Sequence, residues 1–289
     1  MKKLFIAFLL CCAAVCAFAQ DAPDQADLKL IFTPGQTAEY KTETSFLGGD
    51  VSINGTSMPL PQQAIRLAGE IKQTCVAKDK AGNGTVCAYT VMAAEGIPPV
   101  KSYVKSVVDP RGKVVKLLEM ETDGKKVDFA KEKNRLAGAT LSQFLNQAGY
   151  PDKPVKVGEG WKINTVKSAK NPFACDLVYI LESIYELNGD RIARVVCTGT
   201  VEVGLDEAVR LLGTSSTMMS GDVLSGMNGT ARITVDKDVS DVNLTKGVLR
   251  SEDMKCSLAV NIADETSGLG ISMNAALESV VQLAGLSSK

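Results

Sequence analysis

Alternation with a period of two runs through most of this chain. In TAEYKTETSF, Tyr40, Thr42, Thr44 and Phe46 fall on one side and charged residues on the other. In LAGEIKQTCVA, Leu67, Ile71 and Cys75 share a side, and Glu70, Lys72 and Thr74 share the opposite one. TVCAYTV aligns Cys87, Tyr89 and Val91, and ARVVCTGTVEV aligns Ala193, Val195, Cys197, Val201 and Val203. GTARITV, VNLTKGVLRS and MKCSLAVNI continue the pattern, while LVYILESIYEL is apolar on both sides, as in a strand covered twice. Successive side chains of a strand point to opposite faces, so this spacing predicts strands with one face turned inward. LKLIFT, after a short polar start, predicts a further strand.

Turn residues separate these runs. Asn-Gly occurs at 54–55, 83–84, 188–189 and 228–229, Asp-Gly at 123–124, and Pro110-Arg111-Gly112 interrupts another pair of apolar runs. Asn, Asp and Gly tolerate the positive φ angles of type I′ hairpin turns. The expected fold is therefore mainly β: a large antiparallel, curved sheet or sheets of hairpins, with one or two short helices.

Two segments carry a helical period. ATLSQFLNQAG, 139–149, gathers Leu141, Phe144, Leu145 and Ala148 on one face, and DEAVRLLG, 206–213, offers one or two further turns. AALESVVQLAG, 275–285, fits a similar spacing, but the longer alternation of Ile271, Met273, Ala275, Leu277, Val281 and Leu283 selects a strand paired with MKCSLAVNI. VCAYTV at 86–91 and VCTGTV at 196–201 echo one another at unequal distances from their Asn-Gly pairs. Duplication into two similar halves and coincidence among hairpins both remain open.

YPDKPVKVGEGW, 150–161, holds the only tryptophan. Pro151 and Pro154 favour extended backbone, Gly158 and Gly160 bracket a turn, and Trp161 begins WKINTVKS. This reads as a seam at 150–160 between a β-rich first half, 28–149, and a β-rich second half, 161–289, with Trp161 as a packing anchor rather than a ligand-stacking residue.

Residues 1–19 have the form of a secretory signal: Lys2 and Lys3, an apolar run from Leu4 to Phe18, and small residues at Ala17 and Ala19. A flexible polar stretch, 20–27, follows. None of Cys11, Cys12 and Cys16 follows a small residue as a lipoprotein signal requires, so cleavage after Ala19 is the expectation. Export to a bacterial periplasm or cell envelope fits, with no transmembrane helix in the mature chain.

With the leader removed, 30 basic and 33 acidic residues remain from the 32 and 33 of the full chain. That near balance gives no global drive toward nucleic acid. The low aromatic content, 5%, offers little for stacking bases or sugars. Five cysteines remain. Export permits disulfides; Cys75 and Cys87 flank one turn, and a bond between them or two small buried thiols are the alternatives. No pairing among Cys175, Cys197 and Cys256 is favoured.

The motifs LKLIFTPGQTAEYKTET, YPDKPVKVGEGW and DVNLTKGVLRS together resemble a family of exported bacterial envelope proteins of unknown function, whose members share a Pro-x-x-Pro-Val-x-Val-Gly-x-x-Trp segment. The resemblance implies an envelope location and a mainly β fold, and supplies no catalytic residues.

The sequence has no histidine, which removes Ser-His-Asp and Cys-His catalysis and His-ligated metals. No phosphate-binding loop, Gly-x-Ser-x-Gly or dinucleotide motif occurs. Asp236, Asp238 and Asp241 in DKDVSD are the best oxygen ligands for a hard cation, but they lack the Gly and distal Glu of a calcium loop and read as solvated turn residues. The expectation is a non-enzymatic envelope protein with no catalytic residues, no metal site and no cofactor. It would bind lipid or another apolar ligand in a sheet concavity. The alternative is a structural or assembly module with a filled core, acting through protein contacts.

Overall fold

The computed structural model describes residues 24–60, 66–126, 149–166, 173–204, 228–264 and 269–288. Fifteen strands, and no helix, occur among them. They are β1 (Gln25–Ala26), β2 (Gln36–Ile53), β3 (Thr56–Leu60), β4 (Arg66–Lys78), β5 (Gly84–Ala94), β6 (Ile97–Val108), β7 (Val114–Thr122) and β8 (Lys125–Lys126), then β9 (Val155–Lys156), β10 (Gly160–Thr165), β11 (Phe173–Leu187), β12 (Asp190–Gly204), β13 (Asn228–Asn243), β14 (Val248–Asp264) and β15 (Leu269–Ser288).

Thirteen strands form one antiparallel sheet in the order β10-β11-β12-β13-β14-β15-β2-β4-β5-β6-β7-β8, with β3 paired to the upper part of β2. The C-terminal segment is a strand, as alternation predicts: β15 lies between β14 and β2. It therefore joins the two halves of the sequence into one sheet. The segment 139–148 and the segment 206–213, both expected to be helical, lie outside the described residues.

The hairpin turns at 54–55, 123–124 and 188–189 have positive φ at both residues, as type I′ geometry requires. Two other Asn-Gly pairs do not turn. Asn228-Gly229 opens β13. Asn83-Gly84 follows a longer turn in which the Asp79 carboxylate accepts hydrogen bonds from the Asn83 backbone N–H and side-chain amide.

The expected strand LKLIFT is not one. Residues 27–33 cross the ends of the sheet and bond to turn carbonyls instead of a ladder: Leu30 N–H donates to Pro110 O (2.8 Å) and Ile31 N–H to Gly247 O (3.3 Å). Apolar alternation here marks a closing segment whose Leu28 is fully buried. Glycine permits the close crossings, because a Cβ on Gly84 would collide with the Phe32 ring and one on Gly247 with the Ile31 backbone.

The sheet is rolled. From β10 to β6 there are nine strand-to-strand steps, about 43 Å if flat at about 4.8 Å each. Yet Trp161 on β10 donates its indole N–H to Gly149 O (3.0 Å), and the next residue, Tyr150, donates its N–H to Arg111 O in the β6–β7 turn (3.0 Å). Two adjacent residues thus bridge opposite ends of the sheet. Arg111 strengthens the bridge, with its guanidinium on the Asp27 carboxylate (2.7 Å), Leu28 O (2.6 Å) and Asp152 O (2.9 Å). β-Bulges in β2, β4, β5, β11, β12 and β13 supply local bending.

Candidate functional site: the inner face of the rolled sheet

The pairing register defines the face turned into the roll. One row runs Trp161, Tyr179, Cys197, Asp238, Met254, Ser279, Thr44, Leu67, Ala94 from strand to strand. The next runs Leu181, Val195, Ser240, Glu252, Val281, Thr42, Gly69, Met92, Val100. These rows contain two carboxyls and no cation.

The face has two parts. Over β11 to β14 it is sealed: Cys175, Leu177, Tyr179, Leu181, Ala193, Val195, Val201 and Val203 are all buried. Leu28, Val155 and Ala26 pack on them, with Tyr150 and Trp161 at the margin. The Trp161 ring stacks on Tyr179 at 5.3 Å between centroids and 10° between planes, the packing role expected for it. Over β4 to β6 the inner positions are Leu67, Gly69, Ile71, Gln73 and Cys75, then Val86, Ala88, Thr90, Met92 and Ala94, then Val100, Ser102, Val104, Ser106 and Val108. None is charged. Apart from Cys75, Ser106 and Val108, they stay half-buried or exposed, with Leu67 37% exposed. The outer side of the same strands carries Glu70, Lys72, Lys101 and Lys105. Uncharged, half-buried positions therefore line the inside of this part of the roll, while the outer face mixes these charges with exposed apolar side chains such as Tyr89 (42%).

Of the two alternatives for Cys75 and Cys87, the structure has two free thiols and no bond. Cys75 pairs across with Val86 and Cys87 with Thr74, an offset of one residue that places the two side chains on opposite faces. All five cysteines among the described residues are free thiols. Cys87, on the outer face, accepts a hydrogen bond from the Tyr103 hydroxyl (3.3 Å). Burial pushes Cys75 up from the ordinary thiol range, Cys197 up to about 12 and Cys256 up to about 11. These are packing residues, poor as nucleophiles.

Asp236, Asp238 and Asp241 are not solvated turn residues. They lie along β13, with Asp238 facing inward and Asp241 outward, so they do not converge on a common ligand. Asp241 is an outer-face pin: it accepts from Arg194 Nε (2.9 Å), Arg194 Nη2 (3.0 Å) and the Tyr185 hydroxyl (2.9 Å). Burial pushes its carboxyl up, but these bonds overcome that and hold it below the ordinary range. Asp238 and Glu252 have no such partner: Asp238 touches only the Ser240 hydroxyl at 3.5 Å among the described residues. Sequence reading missed Glu252 because, as one of four charges in LRSEDMKC, it looks like any outer residue. Its inward phase is visible only by counting back from Cys256 and Met254.

No protein-family model matches the chain, and no curated protein matches it. Two similar solved structures are lipovitellin, from work titled as lipid–protein interactions in lipovitellin, and OpdL of Pseudomonas aeruginosa. The lipovitellin match has 11% identity and a TM-score of 0.39 and covers 89% of this chain and 26% of that one. The OpdL match has 7% identity and a TM-score of 0.25 and covers 86% of this chain and 99% of that one. The chain thus spans about a quarter of lipovitellin's length. No helix among the described residues is long and apolar enough to cross a membrane.

Proposed function

We propose that this is a non-enzymatic protein of the bacterial periplasm or cell envelope, which takes an acyl chain or similar apolar ligand against the inner face of β4 to β6. One observation carries the reading. Fifteen consecutive inner positions on those strands hold no charge, and most remain accessible although the other half of the same face is sealed. Apolar surface left wet costs about 25 cal/mol per Å², so a chain that covers it gains that amount back. The missing histidine and the buried, high-pKa thiols support binding over catalysis.

Native mass spectrometry of protein purified from its host without detergent tests this. The expected spectrum shows an added mass that is released by organic solvent and identified as an acyl lipid. A bare polypeptide mass, together with no binding of added fatty acid or phospholipid, would refute it and favour the assembly-module reading.

A further inference from the structure

We propose that Asp238 and Glu252 are a proton-operated latch for the segment 149–158: neutral, the pair lets Tyr150 lie closed on the inner face, and ionised, it drives that segment off.

The geometry supplies each part. Asp238 stands opposite Met254 and Glu252 opposite Ser240, which makes the two residues diagonal neighbours on one face, a spacing of about 7–8 Å that acidic side chains can close. Both residues are buried, at 9% and 6% exposure. Tyr150, the second residue of the segment, packs against the apolar cluster of β11 to β14 on this same face, and its hydroxyl is raised from the ordinary tyrosine range by burial first, then by the charges of Tyr40 and Glu252. The segment is held by Trp161 to Gly149 O, Tyr150 to Arg111 O, Arg111 to Asp152 O, Val157 N–H to Asp24 O (2.7 Å) and Gly158 N–H to Leu181 O (2.7 Å), by the two-residue ladder of β9 with β1, and by the buried Val155. Local opening breaks this set and leaves the ladders of the large sheet intact.

Electrostatics supplies the switch. Burial draws Asp238 up to about 7, with the Asp253 charge adding to it against the Ser240 hydrogen bond. Burial and the charge of Asp238 draw Glu252 up to about 8. Facing or adjoining titratable groups are Tyr179 on β11, Cys197 on β12, Cys256 and the outward Asp253 on β14, Tyr40 on β2, and Tyr150. Among the described residues none is a cation, and Arg111 is committed to Asp27 and two carbonyls. For a carboxyl whose closed-state pKa exceeds its open-state value, closure is favoured fully below the ordinary pKa and weakens as pH rises to the closed-state value. Each group lowers the closed-to-open ratio about tenfold per pH unit across that window. Above about pH 8 both are ionised in either state and the ratio levels off.

Trp161 is the built-in reporter, because it is the only tryptophan and holds Gly149 directly. The test follows its fluorescence from pH 5 to 9.5 in wild type and in the double variant Asp238→Asn, Glu252→Gln, with hydrogen exchange of peptides spanning 149–158. The wild type should show a red shift that develops through neutrality and is complete by about pH 9. At pH 8.5 its 149–158 amides should exchange at least tenfold faster than those of the double variant, with β11 unchanged. The double variant should stay flat. A wild type without a transition, or a double variant with the same transition, overturns the latch. So does a double variant unfolded at pH 6, since its amides mimic the neutral carboxyls the latch requires there. None of these readouts uses a ligand, so failure here leaves the mass-spectrometric test of the proposed function standing.

Discussion

The two walls of the roll are built from the same alternating pattern yet end in different states. The wall from β11 to β14 buries its inner side chains under Leu28, Val155 and Tyr150. Among the described residues, the wall from β4 to β6 receives cover at its lower end, where Phe32 reaches Gly84 and Leu30 bonds to Pro110. Alternation determines which side chains point inward. It does not determine whether anything lies on them, because the cover comes from segments distant in sequence.

The largest expected effect separates the walls by stability. Leu181→Ala should cost about 2–5 kcal/mol, because Leu181 is fully buried and leaves a cavity. Met92→Ala, seven strands further along the same inner row and only half-buried, should cost no more than about 1 kcal/mol. Urea denaturation measures both, and equal losses would break the contrast. Next comes the bridge between the walls: Trp161→Phe keeps a ring on Tyr179 but leaves Gly149 O without its donor, an expected loss of about 1–2 kcal/mol by the same method.

A pH series sharpens the comparison by sign. The inner pair favours the folded state at low pH and loses that contribution as pH rises from about 4 to 8. Asp241 on the outer face works in the opposite direction. Its depressed carboxyl stabilises above the ordinary aspartate range, and that contribution is lost as pH falls through its folded value. Asp241→Asn should therefore flatten the acid limb alone, and the Asp238→Asn, Glu252→Gln pair the limb approaching neutrality, in denaturation midpoints taken from pH 3 to 9.

Thiol labelling gives a smaller, qualitative contrast. Cys87 on the outer face should react first, and Cys75, Cys175, Cys197 and Cys256 only after denaturant is added. The smallest effect belongs to Lys72→Ala, whose ion pair with Glu39 lies in solvent and whose loss should leave the urea midpoint unmoved.

Much of this fold was legible in residue order. Period-two runs and the turns at Asn54, Asp123 and Asn188 located the hairpins, and the phase of Ile271 to Leu283 identified β15. Trp161 was readable as an anchor because prolines and glycines isolate it at a strand start. LKLIFT misled because a closing segment also needs apolar side chains on one side. Residue order left a Cys75–Cys87 bond and two free thiols both open because a turn's length sets register, and a shift of one residue moves a side chain to the other face. The carboxyl pair was illegible for the same reason: Asp238 and Glu252 become neighbours only when β13 and β14 are aligned.

The central claim is that an apolar ligand lies against the uncharged, half-buried inner face of β4 to β6. An acyl probe bearing a photoactivated diazirine at its chain end, bound to the purified protein and mapped by peptide mass spectrometry, tests it directly. Insertion should fall on Ile71, Ala88, Met92 and Val104 and spare the outward Glu70, Tyr89 and Tyr103. Labelling on the outer residues, or labelling spread equally over both faces, would contradict the account.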